Sequence, residues 1–243
     1  MTPCTIVVPM AGLGSRFSSQ GYALPKPFID VLGRPMIHRV LDNLYMPKSR
    51  FVLIVRKEHL EAYPQWIQAL ENQYPCDIVS IDSVTEGAAC TVLLARHHIP
   101  ADKPLLIANS DQLVDIAMVD FVLDAQRRQA AGSILTFEAH ETKWSYAKVS
   151  QAGWVEEVRE KEVISSHATV GIYYFQRGQD FVENALDMIL AQDRVNREFY
   201  VCPVYNYLIK KEGNVGIYEI PQSAMQGLGT PEDLMDYLSR KNA

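Results

Sequence analysis

The 243-residue sequence predicts an α/β fold: a Rossmann-like, doubly wound, mostly parallel mixed sheet with helices on both faces and a small added β part for substrate binding. Three observations support this prediction. In the first half, short apolar runs alternate with segments of helical periodicity, as βαβ units do. In the second half, strand-like runs follow one another with little helix between them. The apolar content of 48% and the charged content of 21% are those of an ordinary globular protein.

Strands and helices alternate in the first half of the sequence. The first strand, residues 5–10, is short, β-branched and apolar, as a buried parallel strand is. A helix opens at Pro35, because a proline at a first helical turn precedes apolar residues at helical spacing. The other segments predict strands over residues 51–56, 77–81 and 105–109 and helices over residues 59–72, 88–96 and 119–129.

The second half is richer in strands, which suggests a mixed sheet. Four strands are predicted over residues 133–139, 146–149, 154–159 and 169–175. Helices over residues 181–192 and 204–211, a strand over 215–219 and a last helix from Pro231 follow. We expect one domain over residues 1–243, with halves 1–130 and 131–243.

Composition and charge exclude several classes of protein. The net charge of −6 argues against general nucleic-acid binding. No apolar run approaches the roughly 20 residues that span a bilayer, and the N-terminus shows no signal-peptide pattern. We therefore expect a cytoplasmic protein without a nucleic-acid or membrane partner; a homo-oligomer is compatible with the sequence. The cysteines are far apart and form no CxxC pair, so we expect free thiols at Cys4, Cys76, Cys90 and Cys202.

A glycine-rich turn follows the first predicted strand. Gly12 and Gly14 let backbone N–H groups approach phosphate oxygens, and Arg16 and Lys26 add mobile positive charge. Such cations stabilise the charge that accumulates when a triphosphate loses pyrophosphate. A dinucleotide fingerprint is excluded because Phe17 stands at its third glycine, and the Gly-Lys-Ser/Thr of a Walker loop is absent. A Gly-x-Gly turn by itself also commonly serves only to shape a loop.

Two further polar segments follow predicted strands, at the edge where ligands of a doubly wound sheet bind. Residues 86–88 follow the third strand, and residues 109–111 end the fourth. Magnesium is a natural partner for Asp111, because it is commonly bound through one or two carboxylates together with substrate phosphates. The alternatives are that Asp111 caps a helix or turn and that Gly87 only begins a helix of small residues.

The turn Gly12-Leu13-Gly14-Ser15-Arg16, with Pro25-Lys26-Pro27 about ten residues on, resembles the signature of the nucleotidyltransferases that make nucleotide-sugars. The resemblance implies that residues 1–130 bind a nucleoside triphosphate, that Arg16 and Lys26 are catalytic and that Asp111 holds Mg²⁺. It implies nucleotide contacts at Ala11, Gly12, Leu13, Gly14, Ser15, Glu86, Gly87, Ala88, Asn109 and Asp111.

Segments of the second half resemble the acceptor-binding motifs of the same family. They are Tyr146-Ala147-Lys148-Val149, in which Ala147 replaces a glycine, Glu160-Lys161, and the strand that begins at Gly171. The resemblance implies that residues 131–243 bind the acceptor through Tyr146, Ala147, Glu160, Lys161, Gly171 and Glu198. A lysine beside the acceptor phosphate helps two anions to meet. A solvated charge run around Lys161 and a capping or surface role for Glu198 are the alternatives.

The segment from Gly227 to Pro231 departs from the family pattern. It resembles Asp-x-Gly-Thr-Pro, but Gly227 stands where the aspartate commonly supplies a second metal carboxylate. This departure leaves three alternatives open. The metal is held by Asp111 and phosphates alone, another acid replaces the missing aspartate, or the enzyme is less active than its relatives.

The motifs together predict transfer of a nucleoside monophosphate from CTP, GTP, UTP or dTTP to a sugar 1-phosphate or similar small phosphorylated acceptor, with release of pyrophosphate. The resemblance is to single-domain enzymes that supply bacterial capsule or lipopolysaccharide precursors. A metal-dependent glycosyltransferase is an alternative, but its donor diphosphate needs no pyrophosphate clamp, and no Asp-x-Asp surrounds Asp111. A non-catalytic nucleotide-binding sensor is the other alternative, which Gly227 keeps open.

Overall fold

The computed structural model describes residues 3–242 and confirms the predicted α/β class. Its strands are β1 (Thr5–Pro9), β2 (Asp30–Val31), β3 (Arg34–Pro35), β4 (Arg50–Arg56), β5 (Cys76–Ile81), β6 (Leu105–Ala108), β7 (Gln112–Val114), β8 (Gly132–Glu138), β9 (Ser145–Val149), β10 (Val155–Glu160), β11 (His167–Phe175), β12 (Val215–Ile220) and β13 (Met225–Gly227). Its α-helices are α1 (Ser15–Ser18), α2 (Met36–Leu44), α3 (Lys57–Ala62), α4 (Pro64–Gln73), α5 (Ala88–Leu94), α6 (Met118–Arg127), α7 (Gly178–Leu190), α8 (Val204–Lys210) and α9 (Pro231–Asn242).

The central sheet is mixed but mostly parallel, as predicted. Within residues 3–242 its main order is β12-β8-β11-β6-β1-β4-β5, and β9 and β10 extend from the start of β11. Strands β1, β4, β5 and β6 pair in parallel. Of the nine strands, β10 and β11 run opposite to the other seven. The carboxyl ends of β1 and β6 therefore meet at one edge, where the loops that follow them converge.

Both faces of the sheet are covered, which is why the central strands are apolar on both sides. Val7 packs on the face that α5, α7 and α8 cover. Ile6 and Val8 pack on the opposite face, beneath α2, α4, α6 and α9. Two hydrophobic cores thus hold β1 rigidly and fix the glycine turn that follows it.

Strand β11 pairs with β8 along one edge and divides its other edge between β6 and β9. From Ile172 to Phe175 it pairs with β6, whereas at Ala168 it pairs with Tyr146 of β9. Its register against β8 shifts between Thr169 and Tyr173. The β9–β10 hairpin thus leaves the main sheet close to the carboxyl end of β6, and this is the added β part that the sequence predicts.

Several predicted boundaries are corrected by the structure. The helix predicted over residues 59–72 is two helices, because Pro64 lacks the backbone N–H that a helix interior needs and begins α4 instead. The helix predicted to open at Pro35 begins at Met36, since Pro35 has an extended ψ of 143°. The helix predicted over residues 88–96 ends at Leu94. The strand predicted over residues 105–109 ends at Ala108.

The structure leaves all four cysteines free. Cys4 and Cys202 are buried, and burial raises the pKa of Cys4 to about 12. In the described part of the chain, no helix is both long and apolar enough to cross a membrane.

Candidate functional site

The glycine turn wraps the carboxyl end of β1. Gly14 has a φ of +61°, a left-handed conformation that glycine adopts without strain, and it precedes the single turn of α1. A Cβ at Gly14 would lie 3.1 Å from Cβ of Lys26, so this glycine lets the Lys26 segment approach the turn. A Cβ at Gly12 would meet no atom within 4 Å. The backbone at Gly12 therefore faces open space.

Lys26 lies between the glycine turn and the end of β6. Its Nζ donates a hydrogen bond to Oδ2 of Asp111, and both side chains are about one-fifth exposed, at 19% and 20%. Two residues on, the fully buried Phe28 stacks on Trp66, with ring centroids 5.6 Å apart. The aromatic packing anchors the short 3₁₀ turn Lys26–Phe28, which carries the cation.

The first cavity, of about 460 Å³, joins the predicted nucleotide segments. The predicted residues among its lining are Ala11, Gly12, Leu13, Gly14, Ser15, Lys26, Gly87, Ala88, Asn109, Asp111 and Glu198. Leu13 and Val84 line the mouth and are 62% and 50% exposed. The cavity therefore combines the glycine turn, a cation and apolar surface, a composition suited to a nucleotide.

The turn before α5 is locked to the Phe199 backbone. Gly87 has a φ of +122°, and a Cβ there would lie 2.5 Å from the Phe199 carbonyl oxygen. The Phe199 N–H donates to the Glu86 carbonyl at 2.7 Å, and the Ala89 N–H donates to the Phe199 carbonyl at 3.0 Å. Glu86 was predicted to contact the nucleotide, but it lines neither cavity described here, and its carboxylate pairs with Nη1 of Arg194 at 2.7 Å. Only a glycine allows the two backbones to approach so closely.

A second cavity, of about 440 Å³, adjoins the first and shares Ala88, Asn109 and Glu198 with it. The structure places Arg16 here, away from Lys26, with which the sequence groups it. The other predicted residues in its lining are Glu160, Lys161 and Gly171. Three cations line this cavity: Arg16, Lys143 and Lys161. The cavity therefore suits a phosphorylated compound.

Glu160 and Lys161 lie at the end of β10 and face different partners. Ser145, paired with Glu160 in the β9–β10 register, donates its hydroxyl to the Glu160 carboxylate. Burial raises the pKa of Glu160, and the Ser145 hydrogen bond opposes that rise. Nζ of Lys161 donates to the Tyr200 hydroxyl at 2.7 Å, which raises the pKa of Lys161 and keeps its charge. A carboxylate that accepts hydrogen bonds from hydroxyl groups, Glu160, thus lies beside a cation held by Tyr200, Lys161.

Gly171 lines the second cavity and lies against Asn109, which lines both cavities. Its φ is +92°, and a Cβ there would lie 2.3 Å from Nδ2 of Asn109 and 2.5 Å from Oε1 of Gln112. The Asn109 N–H donates to the Gly171 carbonyl at 3.0 Å. The register shift in β11 therefore gives the Asn109 side chain its place at the junction.

Tyr146 and Ala147 lie outside the linings of both cavities. Both are fully buried, on opposite faces of the sheet. The Tyr146 hydroxyl donates to the Glu141 carbonyl at 2.7 Å, and the Ala147 carbonyl accepts from Ser165 at 2.7 Å. The structure therefore gives these predicted acceptor residues a packing position, because β9 is covered on both faces at this point, and it leaves Ser145 as the β9 residue that faces the cavity.

Glu198 lines both cavities from the end of a tight turn. Val195 and Glu198 exchange two backbone hydrogen bonds, of 3.1 and 2.9 Å. Asn196 and Arg197 between them have φ values of +50° and +67°, as in a two-residue type I′ turn. The turn places the exposed Glu198 carboxylate at the junction, and the capping role considered for it is not seen.

Several lining residues of the second cavity were not predicted from the sequence. They are Gln112, Lys143, Trp144, Ser145, Thr169, Tyr173, Tyr200 and Val201. Ser145 could have been found from the period-2 pattern, since it lies opposite Glu160 in a hairpin whose turn is at 150–153. Tyr200 carries no such signal, because its position depends on the bend at the Val195–Glu198 turn.

Gly227 lies on β13, which pairs with β7 directly after Asp111. The Leu228 N–H donates to the Asp111 carbonyl at 2.8 Å. A Cβ at Gly227 would lie 3.7 Å from Cγ of Asp233, an ordinary contact, and its φ is outside the left-handed region. The chain therefore has room for a side chain at position 227, and the neighbouring space holds the carboxylate of Asp233.

Within residues 3–242, no group of three or more His, Cys, Asp and Glu side chains is arranged to hold a metal ion. Asp111 nevertheless fits a divalent cation, because the ammonium group of Lys26 already lies against its Oδ2 as a cation does. Its carboxylate oxygens are hard ligands of the type that Mg²⁺ prefers, with substrate phosphates completing the shell. The Asp111 carboxylate, with substrate phosphates, therefore matches the ligands that Mg²⁺ takes in a site of one or two carboxylates.

Comparisons with known proteins agree with this geometry. The chain is 24% identical over 172 residues to the mannose-1-phosphate guanyltransferase of Schizosaccharomyces pombe, covering 68% of this chain and 47% of that protein. It is 21% identical over 179 residues to the glucose-1-phosphate thymidylyltransferase of Xanthomonas campestris pv. campestris strain B100, covering 72% and 61%. The chain thus spans about half the length of the curated relatives it matches, between 46% and 61%.

A solved structure covers nearly all of this chain. It is the nucleoside-diphosphate-sugar pyrophosphorylase from Vibrio cholerae RC9, with a TM-score of 0.84, 27% identity, and coverage of 96% of this chain and 99% of that chain. The family model described as nucleotidyl transferase matches residues 6–236. Enzymes of this family act on a nucleoside triphosphate and a sugar or inositol phosphate and generally use a divalent metal. This chain belongs to the nucleotidyl transferase family.

Proposed function

We propose that this chain transfers a nucleoside monophosphate from a nucleoside triphosphate to a sugar 1-phosphate or a similar small phosphorylated acceptor. The observation that carries the proposal is the pair of adjoining cavities that share Ala88, Asn109 and Glu198. One is built from backbone N–H groups and Lys26, and the other is lined by three cations. Two anionic substrates bound there would meet at the shared residues.

The reaction forms one bond and breaks one. An oxygen of the acceptor phosphate attacks the α-phosphorus of the triphosphate, the bond from that phosphorus to the bridging oxygen breaks, and pyrophosphate leaves. The attacking phosphate is already anionic near neutral pH, so the chain needs no general base. Its task is to align two anions and to screen their charge.

Each half of the chain has a distinct task in this proposal. In residues 1–130, the glycine turn binds the triphosphate and Lys26 screens its phosphates. In residues 131–243, Lys161 holds the acceptor phosphate and Glu160 accepts hydrogen bonds from acceptor hydroxyls. Arg16 lines the acceptor cavity although it follows the glycine turn, so we assign it to the boundary between the two phosphates.

Asp111 would hold a Mg²⁺ ion together with phosphate oxygens of the substrate, which neutralises charge on the reacting phosphate. Nζ of Lys26 would screen the triphosphate beside this carboxylate, since a carboxylate has lone pairs for both an ammonium group and an ion. The Lys26–Asp111 pair thus places two opposite charges at the end of β6.

The proposed acceptor is a hexose 1-phosphate, because the relatives from Schizosaccharomyces pombe and Xanthomonas campestris are named for mannose 1-phosphate and glucose 1-phosphate. Hydroxyl groups of Ser145, Thr169 and Tyr173 in the second cavity also suit a polyhydroxylated compound. We further propose that the product is a cytoplasmic precursor of bacterial capsule or lipopolysaccharide, on the resemblance of the motifs.

Pyrophosphate release tests the proposal. CTP, GTP, UTP and dTTP are each combined with a panel of sugar 1-phosphates and other small phosphorylated compounds in the presence of Mg²⁺. We expect one pair to release pyrophosphate and to yield the nucleotide-sugar in equal amount. Consumption of a preformed nucleotide-sugar without pyrophosphate formation would instead indicate a glycosyltransferase. Triphosphate binding without turnover on every acceptor would indicate a nucleotide sensor.

A further inference from the structure

Asp233 is a half-buried acid that lines a third cavity with Lys143 and Arg240 but pairs with neither of them. It lies in the first turn of α9, where its N–H donates a hydrogen bond to Oγ1 of Thr230 at 3.1 Å. Among the described residues, no side chain forms a hydrogen bond or ion pair with its carboxylate. The neighbouring Glu232, by contrast, accepts a hydrogen bond from Gln20 at 2.8 Å. A partly desolvated carboxylate of this kind is stabilised by a nearby cation.

The Asp233 carboxylate faces Asp111 across Gly229. A Cβ at Gly229 would lie 3.1 Å from Oδ2 of Asp111 and 4.0 Å from Oδ2 of Asp233. The two oxygens therefore lie within 4.0 Å of one point, and the absence of a side chain at Gly229 keeps the space between them open. A Cβ at Gly227 would lie 3.9 Å from the same Asp233 oxygen.

The backbone fixes the elements that carry these two acids. Strand β13 pairs with β7, and the Leu228 N–H donates to the Asp111 carbonyl at 2.8 Å. The chain then passes through Gly229 into α9, whose buried Leu234 and Tyr237 hold it on the sheet. The six residues 228–233 thus bring Asp233 close to the Asp111 carboxylate, although position 227 carries no carboxylate.

We propose that Asp233 is the second carboxylate of the divalent-cation site, in the space that a side chain at position 227 would otherwise occupy. The inference rests on the proposed function, which gives Asp111 to the same ion. Proteins usually bind Mg²⁺ through one or two carboxylates, and substrate phosphates supply further ligands. Asp111 and Asp233 would hold the ion in the space over Gly229, which both oxygens border.

A simpler role for Asp233 is to stabilise the N-terminus of α9, where the helix dipole favours negative charge. Glu232 provides a matched control, because it lies in the same turn and carries the same charge. If the dipole alone explains Asp233, then Asp233→Asn and Glu232→Gln lower the thermal stability of the metal-free protein alike and leave its cation affinity unchanged.

The test measures Mn²⁺ binding by electron paramagnetic resonance on the full chain, with Mn²⁺ alone and with Mn²⁺ and inorganic tripolyphosphate. We expect Asp233→Asn and Asp111→Asn each to raise the Mn²⁺ dissociation constant by at least about tenfold. Loss of even an outer-shell partner lowers metal affinity by about 10 to 100-fold. Glu232→Gln is expected to bind Mn²⁺ as the unchanged protein does. An unaltered Mn²⁺ dissociation constant in folded Asp233→Asn overturns the proposal.

A rescue experiment sharpens the assignment. Position 227 accepts a side chain without a close contact, so Gly227→Asp in the Asp233→Asn background should restore most of the lost Mn²⁺ affinity. Failure of the rescue in a folded double variant would contradict the placement of the second carboxylate in the space beside position 227. If Asp233→Asn leaves Mn²⁺ binding intact while pyrophosphate release continues, this inference fails and the proposed function stands.

Discussion

At the scale of single residues, the charge on Lys26 carries the first prediction. Lys26→Ala should lower the rate of pyrophosphate release by about 10²-fold, as loss of one preorganised electrostatic contact does. The expected cause is loss of screening at the triphosphate, so saturating nucleotide should not restore the rate. Steady-state kinetics and thermal unfolding of the same sample measure both effects.

A matched control for Lys26 is the exposed Lys103, which lies 3.4 Å from Asp102 and outside both cavities. Lys103→Ala should keep the full rate. Near-normal turnover in Lys26→Ala would remove Lys26 from the phosphate site.

His59 carries a prediction about pH. Burial lowers the pKa of His59, Arg56 adds to the effect and Glu58 opposes it. Its Nδ1 has no hydrogen-bond partner among the described residues. The unfolded chain protonates this ring near pH 6.5. Stability is therefore full above about pH 6.5 and falls as the pH drops toward the depressed folded pKa, because the unfolded state then binds more protons.

The expected result is a smaller loss of melting temperature between pH 7.5 and pH 5.5 in His59→Leu than in the unchanged protein. His97→Gln, at an exposed position, serves as the control and should keep the original difference. His59 also lies beside Phe28, which anchors the Lys26 turn, with ring centroids 6.1 Å apart. An identical pH response in all three proteins would show that His59 does not titrate with folding.

At the scale of elements, the turn before α5 carries a prediction that uses the same substitution at two glycines. Gly87→Ala should destabilise the fold by about 1–3 kcal/mol or more, because its Cβ would meet the Phe199 backbone and its φ of +122° is strained for alanine. Gly12→Ala meets no atom within 4 Å and should leave thermal unfolding nearly unchanged. Thermal unfolding and triphosphate binding of both variants measure the difference.

Equal stability of Gly87→Ala and Gly12→Ala would mean that the two backbones separate at little cost. The 86–89 segment would then not be a rigid wall of the first cavity. If Gly12→Ala instead weakens triphosphate binding without unfolding, its backbone contact to phosphate is supported.

The elements also show what the sequence can predict. The strands and the glycine turn follow from apolar runs and from glycine spacing, because β1 is buried on both faces and the turn needs a left-handed residue at Gly14. The cavity that Arg16 lines could not be predicted from the sequence, because the single turn of α1 decides where its side chain lies. The burial of Tyr146 and the approach of Asp233 to Asp111 depend on pairings distant in sequence, for which local patterns carry no signal.

At the scale of the whole molecule, the two cavities predict that a substitution in one cavity changes the binding of only one substrate. Lys161→Met should raise the KM for the acceptor by about tenfold or more, since a charge-assisted contact to phosphate contributes about 1.5–3 kcal/mol. The dissociation constant for the triphosphate should stay the same, because Lys161 lines only the second cavity. The exposed neighbour Glu162 supplies the control variant Glu162→Gln. A parallel loss of triphosphate binding in Lys161→Met would contradict the separation of the two sites.

The position of the β9–β10 hairpin has a consequence for protein engineering. The hairpin meets β11 through the single pair Ala168 and Tyr146, yet it carries Ser145, Glu160 and the approach to Lys161. Because β11 pairs with β6 farther along, from Ile172 to Phe175, a hairpin from a related enzyme can be grafted there if it keeps the buried side chains at positions 146 and 147, which pack into the two cores. Acceptor preference can then be exchanged as a module, and the nucleotide pocket is inherited unchanged.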